Sequence, residues 1–415
     1  MKVTTGILLV IIGMLGAAGA IYAVGDLLVA SYENRDVRLY DSKRGSFEGI
    51  FITTQSYGLG YLVFGPDGNL YASVHGDDKI KRFNGSTGAY IDDFVSGDSN
   101  LDGPAGMRFG RDGNLYVVSN HTQKILRYDG ETGSPMGKFA DAILGVIDIT
   151  FGPDGNLYVG CGRPNNVVRV YDGNDGHYLD GRDIYCPNWD HIWGLEFDKN
   201  GNLYVVSNQT NEVFRYDGNS CEVFIPSTAG LNAPQILTFD PAYDFLYVVG
   251  YQSNNVVRSD GVTHEVVICD VNQPTALVFK LLSVLSPDGG ENWAAGTIQN
   301  IQWETSGDVN IPNVHLEYST NNGQAWNDVN TVPNTGLYEW NPVPTVDLNQ
   351  CLVRISDLSN PNIYDTSDKV FTIFQCTNPI QGDLNGDCYV DFRDFAIVAE
   401  QWLKCGNPFD PACQP

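Results

Sequence analysis

The chain has 415 residues, enough for about two to four domains. Asp plus Glu is 50 against 24 Lys plus Arg, a formal net charge of −26. That balance excludes nucleic acid as a partner and argues against docking on anionic membrane surfaces, because both need clustered cations. Charged residues are 18% and hydrophobic ones 42%, so the chain is no disordered acidic tail, and 45 glycines, 20 prolines and 12% aromatics point to a turn-rich all-β protein.

Residues 1–23 read as a secretory signal peptide. Met1 and Lys2 give a basic start, an apolar run extends from Gly6 to about Ile21, and small-residue frames place cleavage near Ala20 or Ala23. The expected location is therefore secreted, extracellular or at the cell surface, with no membrane span in the mature chain. Nine cysteines fit an oxidising compartment. Their spacing leaves the connectivity open, and the absence of a Cys-x-x-Cys pair excludes a zinc knuckle or dithiol redox motif.

From 24 to 280 the chain repeats with a period of about 43 residues. Phe64-Gly-Pro-Asp-Gly-Asn-Leu-Tyr71 returns as Phe109 to Tyr116, Phe151 to Tyr158 and Phe197 to Tyr204, and in degenerate form as Phe239 to Tyr247. Each unit reads as four short strands around an Asp-Gly-Asn hairpin turn, which is a propeller blade. Leu27-Leu-Val-Ala-Ser31 is a second strand without its first, and Ala276-Leu-Val-Phe279 is a first strand without its second. Together they complete a sixth blade from both ends of the segment and close the ring. The Asp-Gly-Asn turns offer one carboxylate each where calcium takes six to eight oxygens, so they are expected as structural hairpins.

Loops between second and third strands, and entries to inner strands, gather on one face of such a ring. They carry Tyr32, His75, Asn120, His121, Arg163, His191, Trp193, Asn208 and Tyr251. Rings beside amides suit a polar ligand such as a glycan. Asp148 and Glu196 fall within inner strands and read as structural carboxylates. The repeat resembles the NHL family and, more loosely, the gluconolactonase group of six-bladed propellers. That resemblance implies a scaffold used by binders, lactonases and lyases. Lactonase-like members hold a central metal with Glu, Asn and Asp; here Ser119 and Ser207 stand where the usual Asp follows the Leu-Tyr strand, which argues against a channel metal.

Residues 281–375 change pattern. Runs at 299–303, 314–318, 336–340, 351–355 and 369–373 alternate as strands of a small β-sandwich. This segment resembles Ig-like and fibronectin-like modules of secreted proteins, including a Kre9/KNH-type group. Ser319-Thr-Asn-Asn-Gly-Gln-Ala-Trp326 resembles the Asp box of sialidases, with Asn321 in place of Asp, and is expected as a hairpin device.

Residues 376–415 hold the sharpest site. Counting from Asp383, oxygens fall at Asp383, Asn385, Asp387, the Tyr389 carbonyl, Asp391 and Asp394, the 1, 3, 5, 7, 9, 12 spacing of a calcium (Ca2+) loop. An amphipathic helix follows from Phe392 to Leu403. Loop and helix resemble half of a type I dockerin, whose relatives bind calcium and dock on cohesin modules in polysaccharide-degrading assemblies. Cys388 replaces the glycine at position 6, and Cys405 to Cys413 stand where a second loop would be; a bond from Cys388 to either is expected to staple the module.

The fold expected is thus all-β: a six-bladed propeller, a β-sandwich and a small helical calcium-loop module. No Ser/His/Asp set, phosphate loop or paired carboxylates are visible, so no catalytic residue is assigned. The leading function is a binding protein, its propeller recognising a glycan or protein and its tail tethering it through calcium to a cohesin-type partner or surface. The alternative is a propeller enzyme, a lactonase, lyase or glycan-cleaving domain, delivered by the same tail.

Overall fold

The structure is a computed structural model and describes residues 26–401 except 43, 55–58, 241–244, 306–310, 346, 362, 376–380, 385–387, 389 and 391. Residues 1–23 and the cysteines at 405 and 413 lie outside the described residues. Among the described residues no helix is long and apolar enough to cross a membrane.

Six small sheets form the propeller. Blade 1 joins Pro274–Phe279 to Asp26–Ser31, with Leu27 opposite Phe279, and continues through Asp36–Asp41 and Phe47–Thr53. Blades 2, 3, 5 and 6 begin with inner strands Leu59–Phe64, Pro104–Phe109, Ile192–Phe197 and Pro234–Phe239, and each has four antiparallel strands. The inner strands pack in a closed cycle, each against the next and that of blade 6 against that of blade 1. Closure from the two ends of the repeat region leaves no free inner edge.

The repeat motif explains the packing. The second strand, for example Leu115–Ser119, is buried along its whole length, because neighbouring blades cover both of its faces. Its tyrosine meets the phenylalanine of the next blade edge-to-face: Tyr71 on Phe109, Tyr116 on Phe151, Tyr158 on Phe197, Tyr204 on Phe239 and Tyr247 on Phe279, at 4.9–5.2 Å between ring centres. Blade 1 has Leu28 at that position, and Phe64 of the next blade packs both against the cluster that holds Leu28 and against the sandwich core. The Asp-Gly-Asn turns are closed internally. Asp112 accepts from the Asn114 backbone N–H (3.1 Å), the Asn114 amide (2.7 Å) and the Tyr116 hydroxyl (3.0 Å), and Asp67 and Asp154 repeat the pattern.

Blade 4 departs from the four-strand expectation. It has three strands, Val146–Phe151, Leu157–Cys161 and Val167–Tyr171, and only isolated bridges beyond them, Val168 with Ile184 and Tyr171 with Tyr178. The stretch 172–191 is too rich in Asp and Gly to hold a ladder. It is fixed instead by burial of Trp189 and by a disulfide from Cys186 to Cys221 at the outer strand of blade 5. This is the pairing that spacing left open.

After Lys280 come two sheets, Leu282–Ser286 with Gln299–Thr305 and Leu337–Trp340, and a larger one centred on Leu348–Asp357. Trp293, Trp303, Trp340, Leu316, Ile355 and Phe371 fill the space between them as a β-sandwich core. The Asp-box-like stretch is the turn between Asn313–Ser319 and Asn327–Pro333: Ser319 Oγ accepts from the Asn321 and Gly323 N–H groups, and Asn321 Oδ1 accepts from the Ala325 N–H. Sandwich and propeller meet through Lys280, whose buried ammonium donates to Asp26 (2.7 Å) and to Asp365. A short helix, Phe392–Gln401, follows.

Candidate functional site

The inner strands start at one face and run inward, so their first residues surround the mouth of the channel. A cavity of about 610 Å³ opens there, and all six blades line it. One inner-strand position recurs: Gly60, Ala105, Ile147, Trp193, Gln235 and Thr275, each four residues before the repeat phenylalanine, all face it. Loop residues add the rim. Tyr32 and Tyr251 stand edge-to-face at 6.4 Å, and the Tyr251 hydroxyl donates to Gln273 Oε1 (2.8 Å). Across from them His191 and Trp193 pack edge-to-face at 5.8 Å.

Of the nine expected ligand residues, Tyr32, His75, Asn120, Arg163, His191, Trp193 and Tyr251 line this cavity. His121 and Asn208 do not. His121 is 53% exposed, with its Nδ1 2.7 Å from Asp102 Oδ1 and its ring edge-on behind His75 at 5.0 Å. Asn208 is buried, and its amide donates to the Pro234 carbonyl (2.9 Å) of blade 6, where it ties blades rather than facing a ligand. Asn120 makes the equivalent bond to the Val146 carbonyl while also reaching the cavity. Sequence reasoning missed Tyr61 and the inner-strand ring. The signal was present as the fixed offset from each phenylalanine.

Burial holds both His75 and His191 below the ordinary imidazole range, helped by His121 in the first case and by Arg163 in the second. Both rings are therefore neutral at pH 7. Arg163 forms a two-pronged pair with Asp190, Nε to Oδ1 at 2.7 Å and Nη2 to Oδ2 at 2.5 Å. Tyr61 is 4% exposed, and among the described residues neither its hydroxyl nor the Trp193 indole N–H, both closed off from solvent, has a partner.

Deeper along the inner strands lie Arg108, Asp148 and Glu196. Arg108 sits 3.8 Å from Asp148 and 3.3 Å from Glu196. Burial raises the Asp148 carboxyl, and Arg108 with the Ile149 and Leu195 N–H groups opposes that. These contacts describe a structural carboxylate. Ser119 and Ser207 are also spoken for: both are buried, and each Oγ bonds the backbone of the loop entering its own blade. Among the described residues no three His, Cys, Asp or Glu side chains cluster as a metal site.

A second device was not anticipated. The turn after the second strand places a residue at positive φ in each blade, and in four blades its side-chain oxygen accepts the backbone N–H that precedes the next inner strand. The pairs are Asp78 with Gly103, Asn166 with His191, Asn211 with Ala233 and Asn254 with Gln273, all at 2.8–2.9 Å. The acceptor residue and the donor residue are both left-handed, so each latch fixes the entry angle of a cavity-lining strand.

Of the calcium-loop residues, Asp383 and Asp394 are described; Asn385, Asp387, Tyr389 and Asp391 lie outside the described residues. Asp383 Oδ2 accepts the Cys388 N–H (2.9 Å), and Cys388 takes φ +68° where glycine was expected. Asp394 is buried and its Oδ1 accepts the Leu384 N–H (2.7 Å), which folds position 12 back on position 2. Cys388 is disulfide-bonded.

No family model matches the chain, and no curated protein matches it. Among solved structures it is similar to a chain of a nidogen/laminin complex, at 16% identity and a TM-score of 0.51 over 62% of this chain and 98% of that one. It is also similar to a streptogramin B lyase (17%, TM-score 0.45, covering 59% and 81%) and to virginiamycin B lyase from Staphylococcus aureus (15%, TM-score 0.46, covering 68% and 92%). At these identities the nidogen likeness is one of fold: this chain is a β-propeller protein.

Proposed function

We propose that this is a secreted binding protein whose propeller takes a glycan at the channel mouth and whose C-terminal loop binds calcium to tether it to a cohesin-type partner or a surface, in the service of polysaccharide degradation. The observation that carries the glycan reading is the cavity itself. Six blades converge on about 610 Å³ with aromatic rings on two sides and Asn120, Gln235, Arg163 and two imidazoles in its lining, the mix of flat apolar faces and fixed polar groups that sugars need. The tail reading follows from the ligand spacing and from the two described ends of the loop, whose bonds bring positions 1, 2, 6 and 12 together. The NHL, Ig-like and half-dockerin resemblances belong to the same proposal.

The test is titration of the full mature chain with a panel of plant and microbial oligosaccharides, followed by calorimetry and Trp fluorescence. Binding that Trp193→Ala weakens at least tenfold supports the reading. A chain that binds no glycan, or binds one equally well after that substitution, sinks it. Calcium is checked separately: Asp383→Ala should abolish a tight calcium site without changing glycan affinity.

The enzyme reading has one observation in its favour. His75 is a neutral imidazole in the cavity, backed by His121 and Asp102, and a neutral imidazole can take a proton. Turnover of any bound oligosaccharide that disappears in His75→Gln would establish it.

A further inference from the structure

The ring of inner-strand positions narrows the ligand, and this step rests on the glycan reading above. Five of the six positions offer a ligand little polar capacity. Gly60 has no side chain, Ala105 and Ile147 are apolar, the Trp193 N–H is closed off from solvent, and Thr275 Oγ1 donates to the Leu59 carbonyl. The sixth is Gln235. Its residue is 7% exposed and lines the cavity, and among the described residues its amide has no hydrogen-bond partner. Unlike the Tyr61 hydroxyl and the Trp193 N–H, its amide atoms are not closed off from solvent. The two loop amides nearby are treated differently: Asn120 donates to the Val146 carbonyl and Asn208 to the Pro234 carbonyl. A carboxamide this deeply buried costs about 1–3 kcal/mol when nothing bonds it, so Gln235 is open to a ligand in a way that those amides are not.

Charge and polarity define the group that fits. Arg163 is already paired with Asp190, so an arriving cation meets a positive side chain. An arriving anion meets the net charge of −26 and the Glu33 carboxylate beside Tyr251. A neutral ligand avoids both. Gln235 can donate and accept at once, which an amide answers with its own C=O and N–H. Around it the floor is apolar, with Leu59 and Pro104 beside Ala105 and Ile147. Every hydroxyl buried against that surface without a partner costs about 1–3 kcal/mol. An acetamido group carries one donor, one acceptor and a methyl, and so uses the amide and covers apolar floor in one piece. The sugar hydroxyls then fall at the rim, where Asn120 Oδ1 and the neutral His75 and His191 rings can bond them.

We infer that the channel-mouth cavity recognises an N-acetylated amino sugar, with its acetamido N–H and C=O paired to the Gln235 amide and its methyl against the apolar floor.

The test uses the full mature chain and matched oligosaccharides on gluco and galacto backbones, each in N-acetyl, free-amine and 2-hydroxyl form, with an N-acetylated alanine peptide as the non-sugar amide. Salt at about 0.3 M screens the charge of the free amines. Calorimetry should show the N-acetyl form of at least one backbone bound about tenfold or more tighter than its amine and hydroxyl counterparts, the ratio expected for one net hydrogen bond. Gln235→Leu should weaken the N-acetyl form about tenfold and the hydroxyl form much less. The melting temperature of the free variant should be unchanged or higher, because no internal hydrogen bond is removed; a purely structural glutamine would lower it and weaken all forms alike. Equal affinity for N-acetyl and hydroxyl forms on both backbones overturns the acetamido selection and leaves the glycan reading standing. A preference that survives Gln235→Leu also overturns it, because the acetamido group would then sit elsewhere. A peptide bound as tightly as the N-acetyl sugars assigns the amide to a peptide and overturns the proposal. Failure of every saccharide removes this inference and the glycan reading together.

Discussion

Single side chains in this protein separate into those the fold has satisfied and those it has left open. Among the described residues the Tyr61 hydroxyl is the clearest open one. A buried polar group without a partner costs about 1–3 kcal/mol, so Tyr61→Phe should raise the stability of the ligand-free protein by about 1 kcal/mol. Urea unfolding of the two proteins measures this, and a less stable variant would mean that the hydroxyl is bonded in solution. Asp112 is the opposite case. Its carboxylate accepts three bonds within its own hairpin, and although burial alone would raise it, those bonds hold it below the ordinary carboxylate range. Asp112→Ala should cost about 1–2 kcal/mol, by the same amount in chelator and in calcium. A loss that appears only with calcium present would show that the repeat turns are ion sites after all.

At the scale of strands and turns, the latches between blades give the cavity its shape. Asn211 supplies both a left-handed backbone (φ +61°) and the acceptor for the Ala233 N–H. The two contributions can be separated. Asn211→Gly keeps the backbone easy and loses the bond, at about 1 kcal/mol, whereas Asn211→Ala also forces an alanine left-handed, at about 2 kcal/mol in all. Denaturant midpoints should rank wild type above Gly above Ala; reversal of the two variants would show that the turn does not keep this conformation. What the sequence revealed and what it hid divide along the same line. The Phe and Leu-Tyr strands were legible because they are buried in every copy and recur at one spacing. The fourth strand of blade 4 was expected and is absent, since the local Asp-Gly-rich stretch overrides the repeat. Cavity loops were legible as a set, yet Asn208 could not be told from Asn120: both follow a second strand, and only the path of the neighbouring blade decides that one amide is used up in packing. Tyr61 was invisible for a related reason, because an inner-strand residue reads as core until the ring of six strands is seen to have a mouth. The calcium loop was the reverse case, with its ligand spacing plain in sequence and only Asp383 and Asp394 of its side chains described.

The whole molecule depends on how propeller and sandwich are joined, and that junction is unusually acidic. Lys280 lies between Asp26 and Asp365, and Asp288 and Asp368 stand close by. Lys280 offsets two of these carboxylates; the Asp288 carboxyl has no cation bonded to it among the described residues and accepts the Asp368 N–H (2.8 Å). Burial first, and then the neighbouring Asp368, Asp26 and Asp365 charges, push the Asp288 carboxyl up to about 8. In the unfolded chain the same group ionises near 3.8. The folded protein therefore keeps a proton that the unfolded chain has released, and the stability tied to that proton is fully present below pH 4 and is lost as the pH rises to about 8. Asp288→Asn mimics the protonated carboxyl at every pH. It should match wild type near pH 4 and exceed it by about 1–2 kcal/mol at pH 8, a figure reduced for the partial exposure of the site. Histidines and the other carboxylates titrate in both proteins, so their effects largely cancel in the difference. Urea unfolding of the full chain at pH 4, 6 and 8 measures it, and a difference that does not change with pH would place the Asp288 charge in solvent and leave the junction's electrostatics to Lys280 with its two partners and to the Lys369–Glu48 pair.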